Sequence, residues 1–258
     1  MVRLGQNFLA DPNLLAAIAR ESGAGPGDVV LEVGGGEGAL TEHLAGMAGR
    51  VVAIELDRGL AEPLGAVAQA AGNVDVIWAD AMRLDLGGLD PAPTMMVSNL
   101  PYSVATPVIL RTIAELPGIR SWTVLVQREI ADRLRAEPGS RAYGGPSVLV
   151  QLACRARMVR KVGREVFRPR PRVDSAVLHL ERSGPAASLA VVELVRGAFA
   201  HRRKTLAGSV ELAGIASRAA ARAALAEAGL DPGVRAEALA PPEFVLVAER
   251  LAAEAPAG

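Results

Sequence analysis

Val29-Val30-Leu31-Glu32-Val33-Gly34-Gly35-Gly36-Glu37-Gly38 is a short β-branched run that breaks into glycines, and Ala39-Leu40-Thr41-Glu42-His43-Leu44 continues with helical spacing. This change of period predicts a strand over 29–34, a tight turn, and a helix over 38–47. Working outward, the same alternation recurs. Strands are expected near 51–56, 74–79, 94–98 and 122–127, and helices over 11–22, 58–71, 104–116 and 128–136. Such alternation gives an α/β fold, a mostly parallel sheet covered on both faces. Two later runs, about 156–162 and 174–181, read as an antiparallel pair of edge strands. Ser183-Gly184-Pro185 breaks the pattern, and the Ala-, Leu-, Arg- and Glu-rich remainder reads as short helices. The expected domains are therefore residues 1–184 and a small helical domain over 185–258.

The 258 residues include no apolar run near the roughly 20 needed to span a bilayer. The start, Met1-Val2-Arg3-Leu4-Gly5, has no apolar stretch of the kind that opens a signal peptide. Cys154 is the single cysteine, and the three histidines, His43, His179 and His201, are scattered. No metal site or disulfide is expected, and Cys154 reads as core rather than nucleophile. The chain reads as cytoplasmic. Its zero net charge hides an asymmetry. Residues 1–100 carry five arginines against thirteen acids, and residues 101–258 carry twenty-three Lys or Arg against fifteen. The first part suits a small molecule and the second a polyanion.

In a doubly wound sheet, the glycine turn sits in the crevice at the carboxyl ends of the strands. Glu55 closes the second strand, where a carboxylate can accept hydrogen bonds from both hydroxyls of a ribose. Gly34-x-Gly36-x-x-Ala39 also satisfies the relaxed dinucleotide fingerprint. Glu37 and Glu32 weigh against that, because they put negative charge where a pyrophosphate belongs. S-adenosylmethionine has no phosphate and carries a sulfonium and an ammonium group, so acids near it are tolerable. Asp80 ends the third strand on the same edge. It reads either as an acceptor for an adenine amine or as a helix N-cap.

Asn99-Leu100-Pro101-Tyr102 follows the fourth strand. An exocyclic adenine amine is a poor nucleophile, because its lone pair is delocalised into the ring. Methylating it requires in-line positioning and acceptors for its hydrogens, which the Asn99 side chain and the Leu100 carbonyl can supply. Pro101 stiffens the turn, and Tyr102 offers a ring on which an extruded base can stack. The bland alternative is a strand-ending turn with Tyr102 in the core. Residues 155–172 hold seven arginines and one lysine against the single acid Glu165. Phe167-Arg168-Pro169-Arg170-Pro171-Arg172-Val173 should be extended, since each proline restrains its predecessor. His201-Arg202-Arg203-Lys204 forms a second basic cluster. Either cluster alone could be a solvated face.

Together these motifs resemble the ribosomal RNA small-subunit adenine dimethyltransferases. The resemblance runs nearly end to end and includes Gly5-Gln6-Asn7-Phe8-Leu9, Glu55-Leu56-Asp57, Asn99-Leu100-Pro101-Tyr102, Gln127–Leu134, Pro138–Gly144, Phe167–Val177 and Arg202–Leu206. It implies a Rossmann-like seven-stranded methyltransferase sheet with a small all-helical C-terminal domain. It also implies S-adenosyl-L-methionine as cofactor, and dimethylation of two adjacent adenosines in a hairpin near the 3′ end of small-subunit rRNA, within an assembling subunit. By the same resemblance Gln6, Asn7 and Leu9 close over the cofactor, and Gly34, Glu55, Asp80 and Asn99 contact it. Glu32, Gly36, Leu56 and Ala81 complete that set. Asn99, Leu100, Pro101 and Tyr102 carry the chemistry, and Arg168, Arg170, Arg172, Arg202, Arg203 and Lys204 hold RNA. Gly35 stands where the family usually has proline, and Gly208 where it commonly has asparagine. The enzyme is expected to be monomeric. Two other readings fit the same residues: a macrolide-resistance methylase acting on large-subunit rRNA, and a non-catalytic assembly or transcription factor that keeps the cofactor pocket.

Overall fold

The computed structural model describes residues 8–254. The strands are β1 (Phe8–Leu9), β2 (Val29–Val33), β3 (Arg50–Glu55), β4 (Val74–Trp78), β5 (Met95–Asn99), β6 (Ser121–Gln127), β7 (Cys154–Val162), β8 (Phe167–Arg168) and β9 (Ser175–Arg182). The helices are α1 (Pro12–Ser22), α2 (Ala39–Ala45), α3 (Ala61–Ala71), α4 (Ala105–Glu115), α5 (Arg128–Leu134), α6 (Gly145–Ala153), α7 (Leu189–Ala200), α8 (Leu206–Leu212), α9 (Arg218–Glu227) and α10 (Pro241–Glu254). Seven strands form one sheet in the order β4-β3-β2-β5-β6-β9-β7. The neighbours from β4 to β6 are parallel, and β9 runs antiparallel to β6. β1 and β8 make a separate antiparallel pair.

Two compact units result: the chain to Ala131 with Arg155–Arg182, and Asp132–Cys154 with the chain from Ser183 onward. The sequence boundary at 184 put residues 132–154 with the first unit, and packing puts them with the second. Tyr143 and Val148 are buried in one cluster with Val195, Leu206, Leu225 and Phe244. The Tyr143 hydroxyl donates to the Leu239 carbonyl at 2.8 Å. Helix α6 was not anticipated. Gly144-Gly145-Pro146 reads as a breaker, yet Pro146 lies in the first turn, where its missing N–H costs nothing.

The amino end of the sheet in the first unit is stitched by polar side chains. Arg120, just before β6, grips Asp28, just before β2, through Nη1–Oδ1 at 2.6 Å and Nη2–Oδ2 at 2.9 Å. Thr94, just before β5, donates to the same carboxylate at 2.9 Å. These donors hold Asp28 down at about 2, below its ordinary 3.8. At the same end of the sheet, Arg182, the last residue of β9, caps α4 by donating to the carbonyls of Ile113, Leu116 and Ile119, with its guanidinium carbon 4.9 Å from the centre of the buried Trp122 ring.

The Asp28 clasp sets a pH dependence. A carboxylate depressed on folding contributes fully above its ordinary value, and loses that contribution as pH falls through about 2. We expect Asp28→Asn to cost about 1–2 kcal/mol at pH 7, a range that allows for the half-exposed arginine. The difference from wild type should shrink toward zero as pH approaches 2. Urea titrations of both proteins check this, and a gap independent of pH would contradict it.

Candidate active site

The ladder of β2 on β3 runs to Val33 opposite Ile54, and that of β5 on β6 runs to Asn99 opposite Leu125. Between β2 and β5 the pairing ends at Leu31 opposite Met96. Beyond that point the Val33 N–H donates to the buried Ser98 hydroxyl at 2.9 Å. Strand order reverses across this pair, so the parted ends are the switch point at which doubly wound sheets bind ligands.

The glycine turn and the tetrapeptide meet there. Gly34 has φ 84°, and a Cβ at that residue would lie 3.3 Å from Pro101 Cδ, so any side chain would push the two segments apart. Glu55, 2% exposed, accepts from the amides of Gly36 at 2.9 Å and of Leu56 and Asp57 at 2.8 Å each. Its carboxylate thus ties the loop to the end of β3. Of the residues expected to hold a cofactor, Gly34, Glu55, Leu56, Asp80 and Ala81 line one cleft with Pro101. Met82, Val104 and Val108 also line it and were not anticipated. Asp80 turned out to serve its own turn as well, accepting from the Met82 amide at 2.8 Å.

Leu9 is 6% exposed and belongs to the core cluster with Phe167. Its neighbour Phe8 is the residue at the glycine loop, because a Cβ at Gly36 would lie 3.4 Å from Phe8 Cε1. Alternation along a strand turns neighbours to opposite sides, which the resemblance to the family did not resolve. Gln6 and Asn7 lie outside the described residues.

Glu32 corrects part of the charge argument. It is 1% exposed, and burial, reinforced by the charge of Glu55, raises it to about 8 despite a 2.6 Å hydrogen bond from Thr41. At neutral pH it is predominantly a neutral acid, not the second negative charge that the loop sequence suggested. The case against a pyrophosphate rests on other observations. Among the described residues, the cleft lining holds two carboxylates and no Lys or Arg, and the Gly36 amide is spent on Glu55. An acceptor-rich cleft with an exposed Leu56 (52%) beside it fits a cationic nucleoside such as S-adenosylmethionine. Gly34, Glu55, Leu56, Asp80 and Ala81 would hold it.

Asn99 is the last residue of β5 and is partly buried. The Leu100 N–H donates to Leu125 O at 3.1 Å, and Pro101 O accepts from Val104 N at 3.1 Å, so backbone hydrogen bonds hold the turn to β6 and to the start of α4. Tyr102 is half-buried, with its hydroxyl 2.7 Å from Ser175 Oγ. Its phenol therefore has a structural partner that the sequence did not reveal.

The basic stretch after β7 is not one straight rod: β8 ends at Arg168, and bends follow at Pro169, Arg172 and Val173. Arg168 donates to the carbonyls of Glu165 and Phe167. Arg202 donates to the Arg141 carbonyl and pairs with Glu237 at 3.7 Å. Arg170, Arg172, Arg203 and Lys204 are exposed.

The model of the ribosomal RNA adenine dimethylase family matches residues 2–253. Ribosomal RNA small subunit methyltransferase A of Rubrobacter xylanophilus is 43% identical over 251 residues, spanning 96% of this chain and 94% of that protein. Its counterpart from Kineococcus radiotolerans is 46% identical, over 99% of this chain and 86% of its own. A crystal structure of a dimethyladenosine transferase from Plasmodium falciparum aligns with a TM-score of 0.80 at 23% identity, over 93% of this chain and 95% of that one, a likeness of fold. The 23S rRNA methyltransferase ErmE aligns at 0.69 and 31% identity, over 95% of this chain and all of its own.

A carboxyl raised on folding contributes most below its ordinary value of 4.5, and that contribution is lost as pH rises toward about 8. We expect Glu32→Gln to gain stability relative to wild type as pH rises from 5 to 8. Paired thermal melts check this, and a constant difference would mean that Glu32 is charged throughout.

Proposed function

This chain belongs to the ribosomal RNA adenine dimethylase family, and from that premise we propose how the cleft and the tetrapeptide divide the work of methyl transfer. It is an S-adenosylmethionine-dependent methyltransferase of small-subunit ribosomal RNA. The observation that carries the division of labour is the contact of Gly34 with Pro101, which sets the acid-lined cleft against Asn99-Leu100-Pro101-Tyr102. Glu55 and Asp80 face the nucleoside half of the cofactor, with Gly34, Gly36, Leu56 and Ala81 around them and Glu32 beneath the loop.

Bound S-adenosylmethionine supplies an electrophilic methyl group on its sulfonium. The protein's own task is to aim an adenine amine at it. The Asn99 side-chain oxygen and the Leu100 carbonyl accept the two amine hydrogens and support the positive charge that grows on nitrogen as the new N–C bond forms. The Leu100–Leu125 and Val104–Pro101 hydrogen bonds hold those acceptors in place before the base arrives. Tyr102 receives the extruded base, and Ser175 keeps the ring from swinging away. The nitrogen then gives up a proton to water, so no dedicated base is needed.

We propose that the substrate pair is two adjacent adenosines in a hairpin near the 3′ end of the RNA, presented by an assembling small subunit in the cytoplasm to a monomeric enzyme. Arg170 and Arg172 in one unit, and Arg203 and Lys204 in the other, are exposed for phosphates. Arg168 and Arg202 share their donors with backbone carbonyls, so they carry a smaller part.

Identity of 43–46% with small-subunit enzymes against 31% with ErmE favours the small-subunit substrate. Transfer of labelled methyl groups to unmethylated small subunits, with large-subunit RNA in parallel, tests it. Dimethyladenosine should form in small-subunit RNA alone. Product only in large-subunit RNA would move the enzyme to the resistance methylases.

Asn99→Ala should lower kcat by roughly two to three orders of magnitude, with cofactor affinity changed little; unchanged turnover would remove Asn99 from the mechanism. Tyr102→Phe should lose a few-fold and Tyr102→Ala at least tenfold, because stacking is worth about 1–3 kcal/mol and the hydroxyl only anchors the ring. Equal losses would transfer the role to the hydroxyl. Glu55→Ala should weaken S-adenosylhomocysteine binding by calorimetry, and an unaltered Kd would contradict the ribose contact.

A further inference from the structure

Arg111, on α4, makes four hydrogen bonds, two of them to the loop that lines the cleft, and no motif points to it. Nη1 donates to the Ala81 carbonyl at 2.6 Å, and Nη2 donates to the Leu84 carbonyl at 2.5 Å. Nε and Nη2 also grip Glu115, one turn on, at 2.6 and 2.9 Å. Four of its hydrogen bonds thus go to fixed acceptors, and the side chain is 19% exposed. Glu115 aims the fork, and the fork holds the loop.

That loop follows β4 and forms one wall of the cleft through Asp80, Ala81 and Met82. Internally it is a single turn centred on Asp80, whose side chain and carbonyl accept from Met82, Arg83 and Leu84. Another part of the lining comes from α4 and its N-cap residue. Val108 and Arg111 are spaced i, i+3 on one face of the helix, and Val108 lines the cleft with Val104, the N-cap residue. Helix α4 starts three residues after Tyr102. One guanidinium therefore clamps the Asp80–Met82 wall to the helix that grows out of the tetrapeptide.

We propose that Arg111 is a positioning residue for the cofactor, setting the width of the adenosine-binding half of the cleft by clamping the loop after β4 to α4. The proposal rests on the reading that this cleft holds S-adenosylmethionine. Its consequence is selective. The wall touches the adenosine moiety, so losing the clamp weakens adenosine recognition and leaves the amino-acid half, on the glycine-loop side, as it was. The effect falls on KM for the cofactor rather than on kcat, because Asn99 and Leu100 are held by β6 and not by Arg111.

The test is calorimetric binding of S-adenosylhomocysteine and of 5′-methylthioadenosine, which lacks the amino-acid group, to wild type, Arg111→Ala and Arg111→Lys. With a lost clamp, Arg111→Ala should raise both Kd values by the same factor, about tenfold. Arg111→Lys keeps the charge but not the fork, so it should fall between the two. Steady-state assays on small subunits should show the cofactor KM rising while kcat stays within about twofold. If Arg111→Ala does not fold, Arg111→Lys carries the same comparison. Kd values within a factor of two of wild type in a folded variant would overturn the proposal. So would a loss seen with S-adenosylhomocysteine but not with 5′-methylthioadenosine. Failure of wild type to bind either ligand would instead overturn the reading of the cleft.

Discussion

Backbone pairing between β2 and β5 stops at Leu31 and Met96, while the ladders on either side continue to the strand ends. Two adjacent parallel strands cannot part inside a sheet without orphaning backbone groups, and a buried orphan amide costs about 1–3 kcal/mol. The Ser98 hydroxyl removes that cost at Val33. With the parting stabilised, Gly34 can turn, Glu55 can collect the loop amides, and Asn99-Leu100-Pro101-Tyr102 can stand on the other lip. Arg120, Asp28 and Thr94 close the sheet at the opposite end, so the same strands are clasped below and open above.

Two glutamates sit near the opening in different surroundings. Glu55 accepts from three backbone amides, whereas Glu32, a few residues away in the sheet, is buried with a hydrogen bond from Thr41, and burial raises it to about 8. A cation entering the cleft would meet the Glu55 and Asp80 side chains in its lining, with Glu32 buried behind them. Among the described residues of the lining, an incoming pyrophosphate would meet no basic side chain, and the Gly36 amide is already taken by Glu55.

The parts of this arrangement that could be read from the sequence are those whose chemistry is local. A β-branched run ending in glycines, an acid at the end of the next strand, and an Asn-Leu-Pro-Tyr turn each state their position through spacing. The features that escaped are made by contacts distant in sequence. Ser98 looks like any strand serine until its partner, Val33, is seen 65 residues away. Arg111 and Glu115 read as an ordinary surface pair four residues apart, and the carbonyls of Ala81 and Leu84 are invisible in the sequence. Residues 132–154 precede β7 in the chain, yet Tyr143 and Val148 match the helical unit, so no linear boundary could place them. Glu32 misled for the same reason, since its charge depends on depth and not on identity.

A structure of the enzyme with S-adenosylhomocysteine would test the central claim, that the parted ends of β2 and β5 hold the cofactor with its reacting end toward Asn99. The account predicts the ribose hydroxyls on Glu55, the adenine against the Asp80–Met82 wall, and the sulfur facing the Asn99–Tyr102 turn. A ligand bound elsewhere, or seated with its sulfur turned away from Asn99, would contradict it.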